Sequence, residues 1–265
     1  MSRKLGVNYG CYGPLPLDEQ LSLIKKYGFE TIFTGSENPN LDVLMKAAKE
    51  AGIGVDNYHA PFNKINDIWM PGEAGENMLE RLIESVEKCY KYDVPALVVH
   101  LSSGLTPPYV NETGHDRFVR LMEKAAERDV TICYENQRML SNLAFAFETF
   151  KDQAKFCWDC GHESCFTPGR HYMPLFGSKL AALHIHDNSG VFNSDDHMIP
   201  GDAQMDFDYV AEQIALSGYQ GTLMLEIIRK KTEFYADWTP DRYFAHAAAA
   251  GRKLIDSIDS YSKKQ

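Results

Sequence analysis

Short apolar or β-branched runs alternate along the chain with longer stretches in which apolar residues recur every three to four positions. The strand-like runs are Leu5–Tyr9, Thr31–Thr34, Gly54–His59, Ala96–His100, Val130–Glu135, Lys155–Asp159, Ala181–His186 and Thr222–Ile227. Between them the helical period predicts Leu17–Tyr27, Leu41–Ala51, Gly75–Tyr92, His115–Arg128, Asn142–Gln153, Phe207–Leu216 and Arg242–Tyr261, with a shorter sixth crossover. Tyr27-Gly28, Ala51-Gly52 and Ser217-Gly218 read as helix stops, because glycine takes the left-handed closing conformation. Strand and helix alternating over this length predict an α/β fold, a (β/α)8 barrel forming a single domain over residues 1–265. An open doubly wound sheet fits less well, since no Gly-x-Gly-x-x-Gly run follows the first strand.

Composition narrows the function classes. The 265 residues carry 27 Lys+Arg against 37 Asp+Glu, a net charge of -10, with 44% hydrophobic and 24% charged positions, as in an ordinary soluble globular protein. Six cysteines in a chain long enough to build its own core predict reduced thiols and a cytoplasmic location. The Met1-Ser2-Arg3-Lys4 start leads straight into the first strand, and no apolar stretch approaches the length of a membrane span, so neither secretion nor membrane association is expected. The acidic balance argues against a nucleic-acid partner, which needs a basic track to displace counterions. A small-molecule substrate is expected.

The chemistry lies in what ends the strands. His59, His100, Glu135, Asp159, His184 or His186, and Glu226 close strands three to eight in turn. In a barrel those ends meet on one face. Strand alternation puts Glu135 on the same face as Cys133, and His184 on the same face as Ala182. Histidines and carboxylates gathered in one cavity call for a cation to offset their charge, so a divalent metal is predicted. His184 and His186 share parity, and the pattern leaves both open as ligand.

The local sequences carry a resemblance. His59-Ala60-Pro61-Phe62, Val98-Val99-His100, Tyr134-Glu135-Asn136, Asp159-Cys160-Gly161-His162, Leu183-His184-Ile185-His186-Asp187-Asn188, the segment Asp195 to Gly201, and Leu225-Glu226-Ile227 resemble the xylose-isomerase-like TIM-barrel superfamily. That group holds sugar and sugar-phosphate isomerases and epimerases, and also apurinic-site endonucleases with three zinc ions. For the sugar branch the resemblance implies Glu135, Asp159, His184 and Glu226 as ligands of one metal, Mn2+ first with Zn2+, Co2+ or Mg2+ as alternatives, and no organic cofactor. For the endonuclease branch it adds His59 and His100 on a second metal shared through Glu135, and His162, Asp195 and His197 on a third. A homodimer or homotetramer is implied in the same way.

Three features favour the sugar branch. The stretch His197 to Phe207 resembles the isomerase loop pattern, departing at Ala203 where glycine is usual; the acidic chain suits a duplex poorly; and Tyr9, Tyr12, Trp69 and Trp158 fall in strand-end loops where a ring can lie against a sugar. The expected reaction is isomerisation or epimerisation of a sugar or sugar phosphate through a metal-stabilised enediolate. Glu135 and Glu226 exchange the proton, with His186, Asp187, Trp69, Tyr9 and Arg229 toward the substrate. A multinuclear zinc phosphodiesterase is the alternative, and a non-catalytic sugar-binding barrel the second. Cys157-Trp158-Asp159-Cys160 lies largely on a strand, where a redox pair is not expected.

Overall fold

A computed structural model of the chain describes residues 3–36 and 38–263; the first two residues of the Met1-Ser2-Arg3-Lys4 start lie outside them. Eight strands form: β1 Leu5–Asn8, β2 Thr31–Gly35, β3 Gly54–His59, β4 Ala96–His100, β5 Thr131–Glu135, β6 Ala154–Asp159, β7 Leu180–His184 and β8 Leu223–Leu225. From β1 to β7 each strand pairs in parallel with the next, and β1 also pairs with β8. The remaining gap is closed by Ile185, whose N–H donates to Met224 O at 2.9 Å while its carbonyl accepts from Glu226 N at 2.9 Å. The result is the expected single-domain (β/α)8 barrel.

The helices are α1 Leu17–Lys26, α2 Leu41–Ala51, α3 Glu73–Lys91, α4 Glu112–Glu127, α5 Leu140–Phe150, α6 Cys160–Phe166, α7 Met173–Phe176, α8 Phe207–Leu216 and α9 Pro240–Ser262. Helix α3 buries Met78, Leu79, Leu82, Val86 and Cys89, the spacing of one apolar stripe turned to the sheet. Helix α2 stops at Gly52, whose φ of 71° an L side chain rarely adopts. The short sixth crossover resolves into α6 and α7.

β7 and β8 are shorter than their apolar runs suggest. Beyond His184 the chain keeps only the Ile185 bridge to Leu225, and Asp187 then pairs antiparallel with Met198 as the loop turns back. That loop, residues 185–206, is the longest at the mouth, and it carries much of the chemistry.

Two cores result. The larger lies between the strands and the helices, while Ala96, Val98, Cys133, Cys157 and Ala182 form a separate inner cluster of small side chains within the barrel. Two residues further along the same strands stand His100, Glu135, Asp159 and His184, so the period of two sets these polar groups on top of the inner cluster.

Candidate metal centre

Glu135 occupies the middle of the cup. Its Oε1 lies 2.7 Å from His184 Nδ1, and its Oε2 contacts His100 Nε2 and lies 3.4 Å from His59 Nε2. Glu226, just past β8, approaches the same His184 Nδ1 at 3.2 Å. Glu135, Asp159, His184 and Glu226 each present a donor atom, and these atoms all lie within 4.8 Å of one another. His59, Glu135 and His184 satisfy the same criterion.

A second set lies alongside. His186 Nε2 is 3.0 Å from Asp159 Oδ1 and 3.8 Å from Asp195 Oδ1, while His197 Nε2 is 2.7 Å from Asp195 Oδ2. His186, Asp195 and His197 thus converge, with His162 Nε2 3.8 Å from Asp195 Oδ2. The parity question therefore divides: His184 groups with the two glutamates, and His186 groups with Asp195 and His197.

Electrostatics mark both sets as places for a cation. Burial opposes ionisation of Glu135, yet His100 and His184 outweigh it and hold its pKa well below the usual carboxylate range. Burial likewise opposes protonation of His184, but Cys157 and the carboxylates of Glu226 and Glu135 overcome it and hold its pKa well above that of a free imidazole. His162 is raised to about 10 against the same burial penalty by Asp159, Asp195 and Glu135. Protons are held here because negative charge is in excess, and a divalent ion relieves that excess more fully. The donor chemistry fits such an ion: three carboxylates and one imidazole suit manganese or zinc. Asp195 Oδ1, buried with no hydrogen-bond partner, fits an ion in the second set.

The second set hangs on a loop held from within. Asp187, fully buried, accepts four backbone N–H groups: Asn188 at 2.8 Å and Met205 at 3.0 Å on Oδ1, Gly201 at 2.9 Å and Ala203 at 2.8 Å on Oδ2. Both its oxygens are engaged by these amides, so Asp187 shapes the loop, and it is not among the residues that line the cup's cavity. Ala203 is not among the positive-φ residues, and the loop stands without the usual glycine.

The cup opens into a cavity of about 420 Å³ lined by His59, His100, Glu135, His162, Asp195, His197 and Glu226 among others. Several expected residues lie elsewhere. Trp69 is buried against Phe118 with its indole N–H on Leu101 O at 2.7 Å, and Trp158 donates to Glu163 at 2.9 Å behind the barrel wall. Tyr9 packs on the main core. Tyr12 donates to Trp238 O at 2.7 Å, and the Arg229 guanidinium lies over its ring. The further aromatic and polar groups that line the cavity include Phe62, Phe166, Gln137, Arg138 and Lys231. Gln137 and Arg138 stand two and three residues beyond Glu135, and that position just past a barrel strand was the signal for them.

All six cysteines are free and buried. Burial pushes the Cys157 thiol up to about 12, so neither it nor the similarly raised Cys160 offers a thiolate.

The family model for the xylose isomerase-like TIM barrel matches residues 21–255. The chain belongs to that family. Uncharacterized protein MJ1311 of Methanocaldococcus jannaschii is 24% identical over 251 residues, 85% of this chain and 84% of that protein. Uncharacterized protein y4fM of Sinorhizobium fredii is 33% identical over 108 residues, 38% of this chain and only 34% of y4fM. Solved structures share the fold: an L-ribulose 3-epimerase at a TM-score of 0.75 and 19% identity, covering 100% of this chain and 97% of that one. A D-tagatose 3-epimerase-like protein reaches 0.72 at 20% identity over 98% and 99% of the two chains, and the IOLI protein with a bound zinc atom 0.73 at 18% over 97% and 99%. Fold neighbours of this barrel thus include sugar epimerases. No helix among the described residues is long and apolar enough to cross a membrane.

Proposed function

We propose that this protein is a divalent-metal-dependent isomerase or epimerase of a sugar or sugar phosphate. The observation that carries the reading is the convergence of Glu135, Asp159, His184 and Glu226 donor atoms within 4.8 Å at the floor of an open cup. These four residues would hold the metal, Mn2+ first by donor type and Zn2+ next. When bound, such an ion supplies Lewis acidity, drawing charge from a carbonyl and its neighbouring hydroxyl and so acidifying the carbon between them.

The chain's own residues do the rest. Glu135 on β5 and Glu226 beyond β8 are separated around the barrel and approach His184 from two sides. One carboxylate removes the carbon-bound proton and returns it to solvent; the other takes up a solvent proton and delivers it to the opposite face, giving an epimer, or to the neighbouring carbon with the hydroxyl proton passing to the former carbonyl oxygen, giving the aldose–ketose isomer. Burial disfavours the charged form of Glu226, but the charge and hydrogen bond of His184 and the charge of His197 outweigh it and lower its pKa, keeping it ionised at neutral pH, the form a base requires. His59 and His100 hold the second oxygen of Glu135 and fix its direction. Elemental analysis of the purified protein combined with solvent deuterium uptake into a panel of ketoses and ketose phosphates tests the reading. One ion per chain with deuterium at the carbon beside the carbonyl supports it. Metal binding with no exchange into any sugar removes it.

A second reading has its own observation. The His186, Asp195 and His197 cluster, with His162 beside it, offers donors for further ions, as a multinuclear zinc phosphodiesterase needs. Two or three zinc ions per chain, one of them lost in a His162→Ala, His197→Ala double variant, together with phosphodiester cleavage, would favour it.

A further inference from the structure

Arg138 is the one cation in the cup wall whose partners do not account for it. It stands three residues beyond Glu135, and its guanidinium lies 3.6 Å from the centroid of Phe166, whose ring stacks on His162 at 4.6 Å. Its position is therefore tied to the second donor set. One nitrogen donates to Asn193 Oδ1, the buried Nε has no hydrogen-bond partner, and no carboxylate among the described residues forms an ion pair with it. The contrast with Arg117 is direct, since that buried guanidinium binds Glu76 at 2.9 Å and three backbone carbonyls. A half-buried guanidinium without a counter-ion is costly to keep. Lys231 lines the same cavity, with Nζ 3.1 Å from Asp195 O and 3.8 Å from Asp195 Oδ2. Lys231 reaches Asp195 directly, whereas Asp195 acts on Arg138 only through space, with no carboxylate among the described residues within ion-pair distance of its guanidinium.

We propose that Arg138, with Lys231 in the same cavity, selects a substrate bearing an anionic terminal group, a phosphate monoester or a carboxylate, and seats its polyol end toward Glu135 and Glu226. The planar fork of arginine matches both anions bidentately, and stacking on Phe166 orders it in advance. The proposal deepens the proton-transfer reading and rests on it for the orientation of the sugar. It also predicts a division of the cavity: floor for the reacting carbons, Arg138 wall for the anion.

The test is calorimetric binding on the protein as purified, with its metal content measured. The probes are D-ribulose 5-phosphate and D-fructose 6-phosphate, D-fructuronate, and free D-ribulose and D-fructose. The wild type should bind at least one anionic probe roughly tenfold or more tightly than the neutral ketoses, phosphate and uronate arms telling the two anions apart. Arg138→Gln should erase most of that ratio and Arg138→Lys should restore part of it, with metal content and melting temperature unchanged. Lys231→Met should reduce the ratio less. Equal affinities, no measurable binding of any anionic probe, or a preference that survives Arg138→Gln overturns the proposal, the last because the anion then rests on the metal. Failure of the proton-transfer reading is seen separately, as an absence of deuterium exchange while the binding ratio stands.

Discussion

Replacing Asp187 with asparagine separates the loop's architecture from its chemistry. In the wild type the two carboxylate oxygens accept four backbone N–H groups between 2.8 and 3.0 Å. An asparagine keeps one oxygen and turns an NH2 group, itself a donor, toward the other two amides. Two N–H groups lose their acceptor at about 1–3 kcal/mol each. Gly201, Ala203 and Met205 are only partly shielded, so water can replace the lost acceptor and the low end applies, about 2–3 kcal/mol in total. For a chain of this size that lowers the melting temperature by about 4–12 °C. Scanning calorimetry reads the shift, and amide hydrogen exchange over residues 198–206 should accelerate by a similar free energy. The loop also carries Asp195 and His197, so zinc held by the second donor set should weaken while an ion on Glu135 and Glu226 is retained. A melting temperature within about 2 °C of wild type, with unchanged exchange in that segment, would refute the role assigned to Asp187.

The remaining predictions concern the two donor sets. Gly161→Ala would place a Cβ 2.0 Å from Cε1 of the buried His186 ring; it should cost about 1–3 kcal/mol in thermal melts and push His186 off Asp159, lowering zinc content. Glu226→Gln should cut deuterium exchange by about 10²–10⁴-fold with the fold intact by circular dichroism, and near-normal exchange would sink the two-carboxylate scheme. In the metal-free protein the His162 pKa is raised to about 10, so its stabilising contribution is fully present below about pH 6.5 and is lost as pH rises through about 10. Melting temperatures of metal-free protein should therefore fall across that window. Zinc must displace the same proton, and calorimetry at pH 7 in buffers of different ionisation enthalpy should detect its release.

The frame of this barrel was legible in the chain because two periods are written plainly in it. Gly54–His59, Ala96–His100, Leu41–Ala51 and Phe207–Leu216 form over the residues their patterns predicted. The same period of two that buries Val98, Cys133, Cys157 and Ala182 inside the barrel sets His100, Glu135, Asp159 and His184 above them, which is why a cup of donors could be expected at all. Residues in the loops were less legible. Trp69 and Arg229 sit beside strand ends in sequence but are drawn away by Leu101 and Ala236 carbonyls, contacts set by tertiary packing. Asp187 follows the same logic in reverse: next to His186 an acid reads as chemistry, yet four backbone amides had a stronger claim on it. Phe62 and Phe166 reach the cavity wall by stacking on His100 and His162, and Arg138 by lying over Phe166, contacts that periodicity does not record.

The two donor sets differ in what holds them, and this bears on how many ions the proposed metal site would take. Glu135, Asp159 and His184 end strands whose ladders and inner cluster fix their backbones, so the first set is preorganised before any ion arrives. Asp195 and His197 come from a loop whose shape rests on Asp187 and on Asp196, which accepts from Ser189 and Ser194. His197 itself sits at a positive φ of 49°, outside the comfortable range for a non-glycine residue. Part of the binding energy of an ion in the second set would be spent ordering that loop, whereas little of it would be spent in the first. Affinity should thus decline from the Glu135 set to the Asp195 set, even though the donor types are similar. A single-ion enzyme at limiting metal and a multinuclear one at excess can then be the same polypeptide, with the loop around Asp187 deciding between them.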